Sequence, residues 1–229
     1  MSMLRKRSAP VILALLLTSA FSVAANAAHE GSGTVSHNHD PFFGAWTSVA
    51  GNIPLSESLQ FTVYGILWDS FRWTEYGAGV SFDTSSVSGS ALVGLTNGNI
   101  LSGGTGLQFG EGVVPNVTLN SKSDVIDAQI YAGYYKALQA QAGASSNDYL
   151  HYWTYAGYKL SSRVAIGAHW EHLQNTRGPA GNNMVYGWLG PYVNFNIKSN
   201  FGFRIAGGMD LDEDRGQSDF FKAGVTLNF

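Results

Sequence analysis

DFFKAGVTLNF, residues 219–229, brings the chain to its last residue with apolar and polar side chains that alternate from Phe221 onward. The apolar register holds Phe221, Ala223, Val225, Leu227 and Phe229, and the other register holds Lys222, Gly224, Thr226 and Asn228. Successive side chains of a β-strand point to opposite sides of the sheet. The segment therefore predicts a strand with one apolar face and one polar face.

The same period of two recurs upstream, most clearly in residues 126–135, 163–171 and 188–197. Short polar turns alternate along the chain with longer polar loops, an arrangement typical of transmembrane β-barrels. We therefore predict a closed antiparallel up-and-down barrel of about ten strands, or about eight if the glycine-rich region around 97–112 is a loop. The expected strands are 58–68, 74–83, 88–97, 105–119, 124–138, 149–160, 163–174, 184–197, 200–211 and 219–229.

Three regions follow from this pattern. Residues 1–27 have a basic start, a short apolar stretch and a small-residue cleavage pattern at Ala25–Ala27, which together predict a cleaved secretory signal peptide. Residues 28–57 are polar and rich in glycine and serine, and we expect a periplasmic N-terminal arm there. Residues 58–229 form the predicted barrel.

Composition excludes several classes of protein. Only 13% of the residues are charged, another 13% are aromatic, and cysteine is absent. A disordered chain would be richer in charge and poorer in aromatic residues. Cysteine-based metal or redox sites are excluded, and a pI near 6.0 provides no basic surface for nucleic acid. We therefore expect no cofactor, no metal and no nucleic-acid partner.

The register of the charges favours a membrane barrel over a soluble one. Asp127, Lys159, Arg163, Glu171 and Arg204 all fall opposite the apolar register. A soluble barrel normally has the reverse arrangement, with charged residues outside and apolar residues filling the interior. A soluble periplasmic ligand-binding barrel remains the alternative.

The closing strand resembles the C-terminal signal of bacterial outer-membrane β-barrels, carried here by Phe221, Val225, Leu227 and Phe229. The chain also resembles small members of that class in FTVYGILW, residues 61–68, and AGYYKAL, residues 132–138. The resemblance implies export, periplasmic termini and insertion by the outer-membrane barrel assembly machinery. It also implies contact with outer-membrane lipid and lipopolysaccharide.

The inward register collects the candidate functional residues. Opposite charges enclosed in a barrel must pair or be hydrated, because an isolated buried charge is costly. The lumen and ligand candidates are Glu75, Asp127, His151, Lys159, Arg163, His169, Glu171 and Arg204, with Lys222 in the same register. They predict a non-enzymatic barrel with a polar lumen that is structural, binds a ligand or forms a narrow pore.

Two local motifs suggest other chemistry. His29, Glu30, His37, His39 and Asp40 include possible transition-metal ligands, although a solvated tail is the preferred interpretation. Residues 169–175, HWEHLQN, are loosely similar to the active-site strand of outer-membrane lipid A deacylases, in which a serine follows a histidine by two positions. Gln174 occupies that position here and cannot act as an activated nucleophile. A lipid hydrolase remains an alternative, but the sequence offers no nucleophile for it, and we assign no catalytic residue.

Overall fold

The computed structural model describes residues 31–68, 73–178, 181–211 and 219–229, so the predicted signal peptide at 1–27 lies outside the described residues. In these ranges, twelve antiparallel strands form one closed barrel, in which sequence neighbours pair and the last strand pairs with the first. The strands are β1 (Ser32–Asp40), β2 (Gly44–Pro54), β3 (Leu59–Trp68), β4 (Trp73–Asp83), β5 (Val87–Gly98), β6 (Gln108–Ser121), β7 (Ile126–Ala137), β8 (Asp148–Lys159), β9 (Val164–Arg177), β10 (Asn183–Lys198), β11 (Phe201–Asp210) and β12 (Asp219–Asn228). None of the described residues belongs to a helix long and apolar enough to span a membrane.

The predicted fold class is confirmed, and each of the ten expected strands has a counterpart in β3–β12. The expected number of about ten, or eight, is too low because residues 28–57 were assigned to a periplasmic arm. That assignment is wrong for residues 32–54, which form β1 and β2 and close the barrel through the pairing of β1 with β12. The outward side chains of β1 include His37 and His39, so no apolar alternation marks this strand in the sequence.

Two rims follow from the connections. The short-turn rim holds the turns at 55–58, 84–86, 122–125, 160–163 and 199–200, together with the paired ends Thr34 and Asn228. The long-loop rim holds the β1–β2 turn at 41–43 and the longer connections at 99–107 and 138–147. This separation of short turns from long loops is the one expected of an outer-membrane barrel.

The outer wall of the barrel is apolar and the inner wall carries the charges. Ile130 on β7 and Phe221 on β12 are 52% and 58% exposed, and each points away from the lumen. Glu75, His169 and Glu171 point inward and are buried. A soluble barrel would bury the first group and expose the second, so this distribution contradicts the soluble alternative.

Candidate functional site

A cavity of about 540 Å³ runs along the inner face of β10, β11, β12 and β1. Its lining reaches from Ser199 and Asn228 at the short-turn rim to Phe42 and Trp68 at the long-loop rim. On β12 alone, the inward positions from Lys222 to Asn228 all contribute to the lining. The cavity therefore follows the full height of the wall.

The section near the short-turn rim is lined mainly by neutral polar side chains, beside Lys198, Phe201 and Phe203. Hydroxyls and amides alternate there across the paired strands, and Ser36 Oγ lies 2.6 Å from Ser48 Oγ. Such groups exchange hydrogen bonds with water at little cost, so this section suits a hydrated entrance. Its main neutral polar residues are Thr34, Ser36, Asn38, Asn194, Asn196, Thr226 and Asn228.

A buried ionic network centred on Glu171 forms the middle of the lumen. Glu171 Oε1 accepts hydrogen bonds from the Tyr186 hydroxyl at 2.9 Å and pairs with His151 Nε2 at 2.9 Å. Glu171 Oε2 pairs with His169 Nε2 at 3.1 Å and forms a salt bridge with Lys222 Nζ. The carboxylate on β9 thus gathers groups from β8, β10 and β12, which stabilises its buried charge.

Arg204 extends from β11 across the lumen toward β7. Its Nη1 donates a hydrogen bond to Gln129 Oε1 at 3.2 Å, and its Cζ lies 4.1 Å from the centre of the Tyr155 ring. The Tyr155 ring in turn stacks on His169 at 4.3 Å. Arg204 therefore contacts an aromatic face and an amide, two partners that leave its charge uncompensated.

Aromatic rings line the cavity near the long-loop rim. The β1–β2 turn points Phe43 into the lumen, where its ring lies 4.7 Å from Trp68, 5.8 Å from His151 and 6.4 Å from Tyr186. Asp40 fixes this turn, because Oδ1 accepts from the backbone N–H groups of Phe42 and Phe43 at 3.0 and 2.7 Å. Phe43 thereby bridges the β1–β2 side of the barrel to the β8–β10 side and narrows the lumen.

Two of the predicted candidates lie inward but outside the Glu171 network. Glu75 is buried and accepts a hydrogen bond from the Tyr64 hydroxyl, which also accepts one from Asn116 Nδ2 at 3.1 Å. Asp127 Oδ2 accepts from the Tyr192 hydroxyl at 2.8 Å.

The Tyr192–Asp127 contact joins β10 to β7 over two glycines that have no side chain to block it. A Cβ atom at Gly167 would lie 2.7 Å from Tyr192 Cε1, and one at Gly157 would lie 2.7 Å from the Tyr192 hydroxyl. Glycine at both positions therefore lets the ring lie across β9 and β8.

The remaining two candidates lie at the short-turn rim. Lys159 ends β8, and its Nζ donates to the Ser123 carbonyl at 2.7 Å. Arg163 is exposed in the turn before β9, where its carbonyl accepts from the Asn196 N–H at 2.8 Å, so it lies at the rim and outside the buried middle of the lumen.

The described residues of the possible metal-binding motif and of the deacylase-like motif do not come together as a site. His37 and His39 point outward from β1 while Asp40 points inward, and the described residues contain no cluster of three or more potential metal ligands. On β9, Gln174 instead donates to Asn182 Oδ1 at 2.7 Å. Because Gln174 and His172 point outward, opposite His169 and Glu171, the deacylase-like arrangement is not assembled.

Sequence reasoning missed the β1–β2 hairpin that carries Asp40 and Phe43, because residues 28–57 were assigned to an arm. The signal was present in DPFFG, residues 40–44, because Asp followed by Pro is a common turn sequence in which the carboxylate caps nearby N–H groups. Such a turn predicts a reversal of the chain at 41–43, where the β1–β2 hairpin turns.

One family model, described as a family of unknown function (DUF6733), matches residues 3–229. The chain belongs to the DUF6733 family. No curated protein matches the chain.

Solved structures similar to this DUF6733 chain are outer-membrane barrels. The NanC porin has a TM-score of 0.54 at 9% identity, and the alignment covers 85% of this chain and 98% of the porin. An outer membrane channel from Pseudomonas putida F1 has a TM-score of 0.51 at 12% identity, with 87% and 95% of the two chains covered. At these identities the similarity concerns the fold, which is that of bacterial outer-membrane porins and channels.

Proposed function

We propose that this protein is a narrow, non-enzymatic channel of the bacterial outer membrane. The cavity that reaches from one rim to the other is the observation that carries the proposal, because a plugged structural barrel needs no cavity along its full height. The apolar exterior and the porin-like fold support an outer-membrane location. The channel function implies that small solutes, rather than macromolecules, enter the lumen.

The proposal includes the route to the membrane. We propose that residues 1–27 direct export and are removed, and that β12 is read by the barrel assembly machinery. The outward, exposed positions of Phe221, Leu227 and Phe229, with Val225 in the same register, support the second point. With the short-turn rim in the periplasm, the long-loop rim and its flanking outer wall would contact lipopolysaccharide.

Planar-bilayer recording tests the channel directly. We expect purified protein to produce discrete conductance steps smaller than those of wide porins, since wide aqueous channels need about 16 strands. A barrel that inserts, as shown by heat-modifiable gel mobility, and still gives no steps would contradict the proposal.

The narrowing of the lumen by Phe43 can be tested by removing its ring and measuring conductance. We expect Phe43→Ala to raise single-channel conductance severalfold, because removal of the ring widens the lumen between Trp68 and Tyr186. Phe109→Ala is the matched control, since Phe109 is 85% exposed beyond the barrel interior. Unchanged conductance in Phe43→Ala would place the narrowest point elsewhere.

A further inference from the structure

The guanidinium of Arg204 has a hydrogen-bond donor and a positive charge that no described residue pairs with. Its Nε is buried without a hydrogen-bond partner among the described residues, and no carboxylate of those residues lies within 4.0 Å of Arg204. Arginine presents a planar fork of N–H donors that matches a carboxylate with two parallel hydrogen bonds. Nε itself is enclosed, but the side chain lines the cavity, so a solute anion can approach the rest of the guanidinium from the lumen.

Lys198 lines the cavity at the short-turn rim, and Arg204 differs from the other charged groups deeper in the lumen. Lys222 is neutralised by Glu171, and Glu171 itself has four partners. Asp40 is satisfied by two backbone N–H groups and by Trp46 Nε1 at 3.1 Å. The charge left for a solute in the middle of the lumen is therefore the positive charge of Arg204.

Aromatic faces lie next to this cation on the side of the long-loop rim. Trp153 is the inward residue of β8 that lies next to Tyr155 toward the long-loop rim. Its ring stacks on Tyr131 at 3.8 Å. Both rings line the cavity. A flat apolar ring attached to a carboxylate at Arg204 would pack against these faces, in the offset arrangement that aromatic pairs prefer.

The polar groups around these rings are already engaged with one another. The Tyr131 and Tyr135 hydroxyls lie 3.2 Å apart, and His151 Nε2 contacts both Glu171 and the Tyr186 hydroxyl. A hydroxyl-rich ring placed here would give up hydrogen bonds to water without replacement, which is costly, whereas an apolar ring loses none. The compartment thus favours an apolar ring over a sugar ring.

We propose that Arg204 and the neighbouring Trp153–Tyr131 pair form a binding site for a carboxylate carried on a flat apolar ring. The site deepens the proposed channel function, because it names the class of solute that the lumen recognises. Binding itself does not require conduction, so the two proposals can fail separately.

Isothermal titration calorimetry of the full barrel in detergent tests the site with four probes: benzoate, benzamide, acetate and glucuronate. We expect benzoate to bind most tightly, since benzamide lacks the charge, acetate lacks the ring and glucuronate carries hydroxyls. No detectable benzoate binding, or benzamide binding as tight as benzoate, would overturn the anion site. Acetate or glucuronate binding as tight as benzoate would overturn the apolar-ring site.

The matched variants are Arg204→Gln and Arg163→Gln. We expect Arg204→Gln to weaken benzoate binding by about tenfold or more, because a charge-assisted hydrogen-bonded pair is lost. We expect Arg163→Gln to leave benzoate binding unchanged, because Arg163 lies in the exposed turn. Equal benzoate affinity in Arg204→Gln and wild type would overturn the assignment. If Arg204→Gln fails to fold, the four-probe comparison on the wild-type barrel still decides.

Discussion

Replacing Glu171 with leucine is expected to lower the free energy of unfolding of the barrel by about 3–5 kcal/mol, the cost of leaving a buried charge without its partner. Lys222 Nζ would then lie in the lumen without its carboxylate, between the rings of Trp188 and Trp153 at 5.3 and 5.9 Å. The Tyr186 hydroxyl would also lose its hydrogen bond to the Glu171 carboxylate. Urea unfolding of the barrel refolded into phospholipid vesicles, followed by tryptophan fluorescence, measures the loss.

The double variant Glu171→Leu/Lys222→Met is the control for this prediction. Removing both charges together removes the uncompensated ammonium, and replacing a buried ion pair by apolar residues is often close to neutral. We therefore expect the double variant to recover most of the lost stability. If the double variant is as unstable as Glu171→Leu, the loss comes from packing around position 171 and not from the ion pair.

Replacing Ile130 with lysine is expected to cost about 2–4 kcal/mol, the range for a cation on the lipid face near the middle of the membrane. Ile130 is exposed on the outer wall of β7, between Ile126 at the short-turn end and Tyr134 toward the long-loop rim. The ammonium would be surrounded by hydrocarbon with no partner. The same urea titration in vesicles measures the change.

Thr226→Lys introduces a lysine on the inner face of the barrel and serves as the control. Thr226 lines the hydrated section of the cavity and pairs with Gly202 and Ser36, which leave room for a longer side chain. We expect its stability to stay within about 1 kcal/mol of wild type, as for exposed polar substitutions. A larger loss in Thr226→Lys than in Ile130→Lys would show that the two faces are assigned the wrong way round.

The strands that could be predicted from the sequence are those whose outward residues are large and apolar. β12 is recognisable because Phe221 and Leu227 alternate with Lys222 and Thr226. β1 and β2 were missed because polar His37, His39 and Thr47 interrupt the apolar pattern at their outward positions. The pairing of β1 with β2 and with β12 reveals it as a strand, and the pairing with β12 is a property of the closed barrel.

The candidate site could be predicted only in part, for a similar reason. The period of two correctly placed His169 and Glu171 on the same inward face. Their convergence with Tyr186 depends on the irregular pairing between Met184 and Tyr186, which changes the register of β10 against β9. The contact of Arg204 with Gln129 spans the lumen between strands far apart in sequence, so no local pattern reports it.

The orientation of the wall is tested most directly by nitroxide labels placed one at a time along residues 126–134 of the cysteine-free chain in lipid vesicles. We predict high accessibility to oxygen, which dissolves in hydrocarbon, at 126, 128, 130, 132 and 134, and low accessibility at 127, 129 and 131. The opposite phase, with oxygen reaching 127, 129 and 131, would contradict the placement of the charged face inside the barrel.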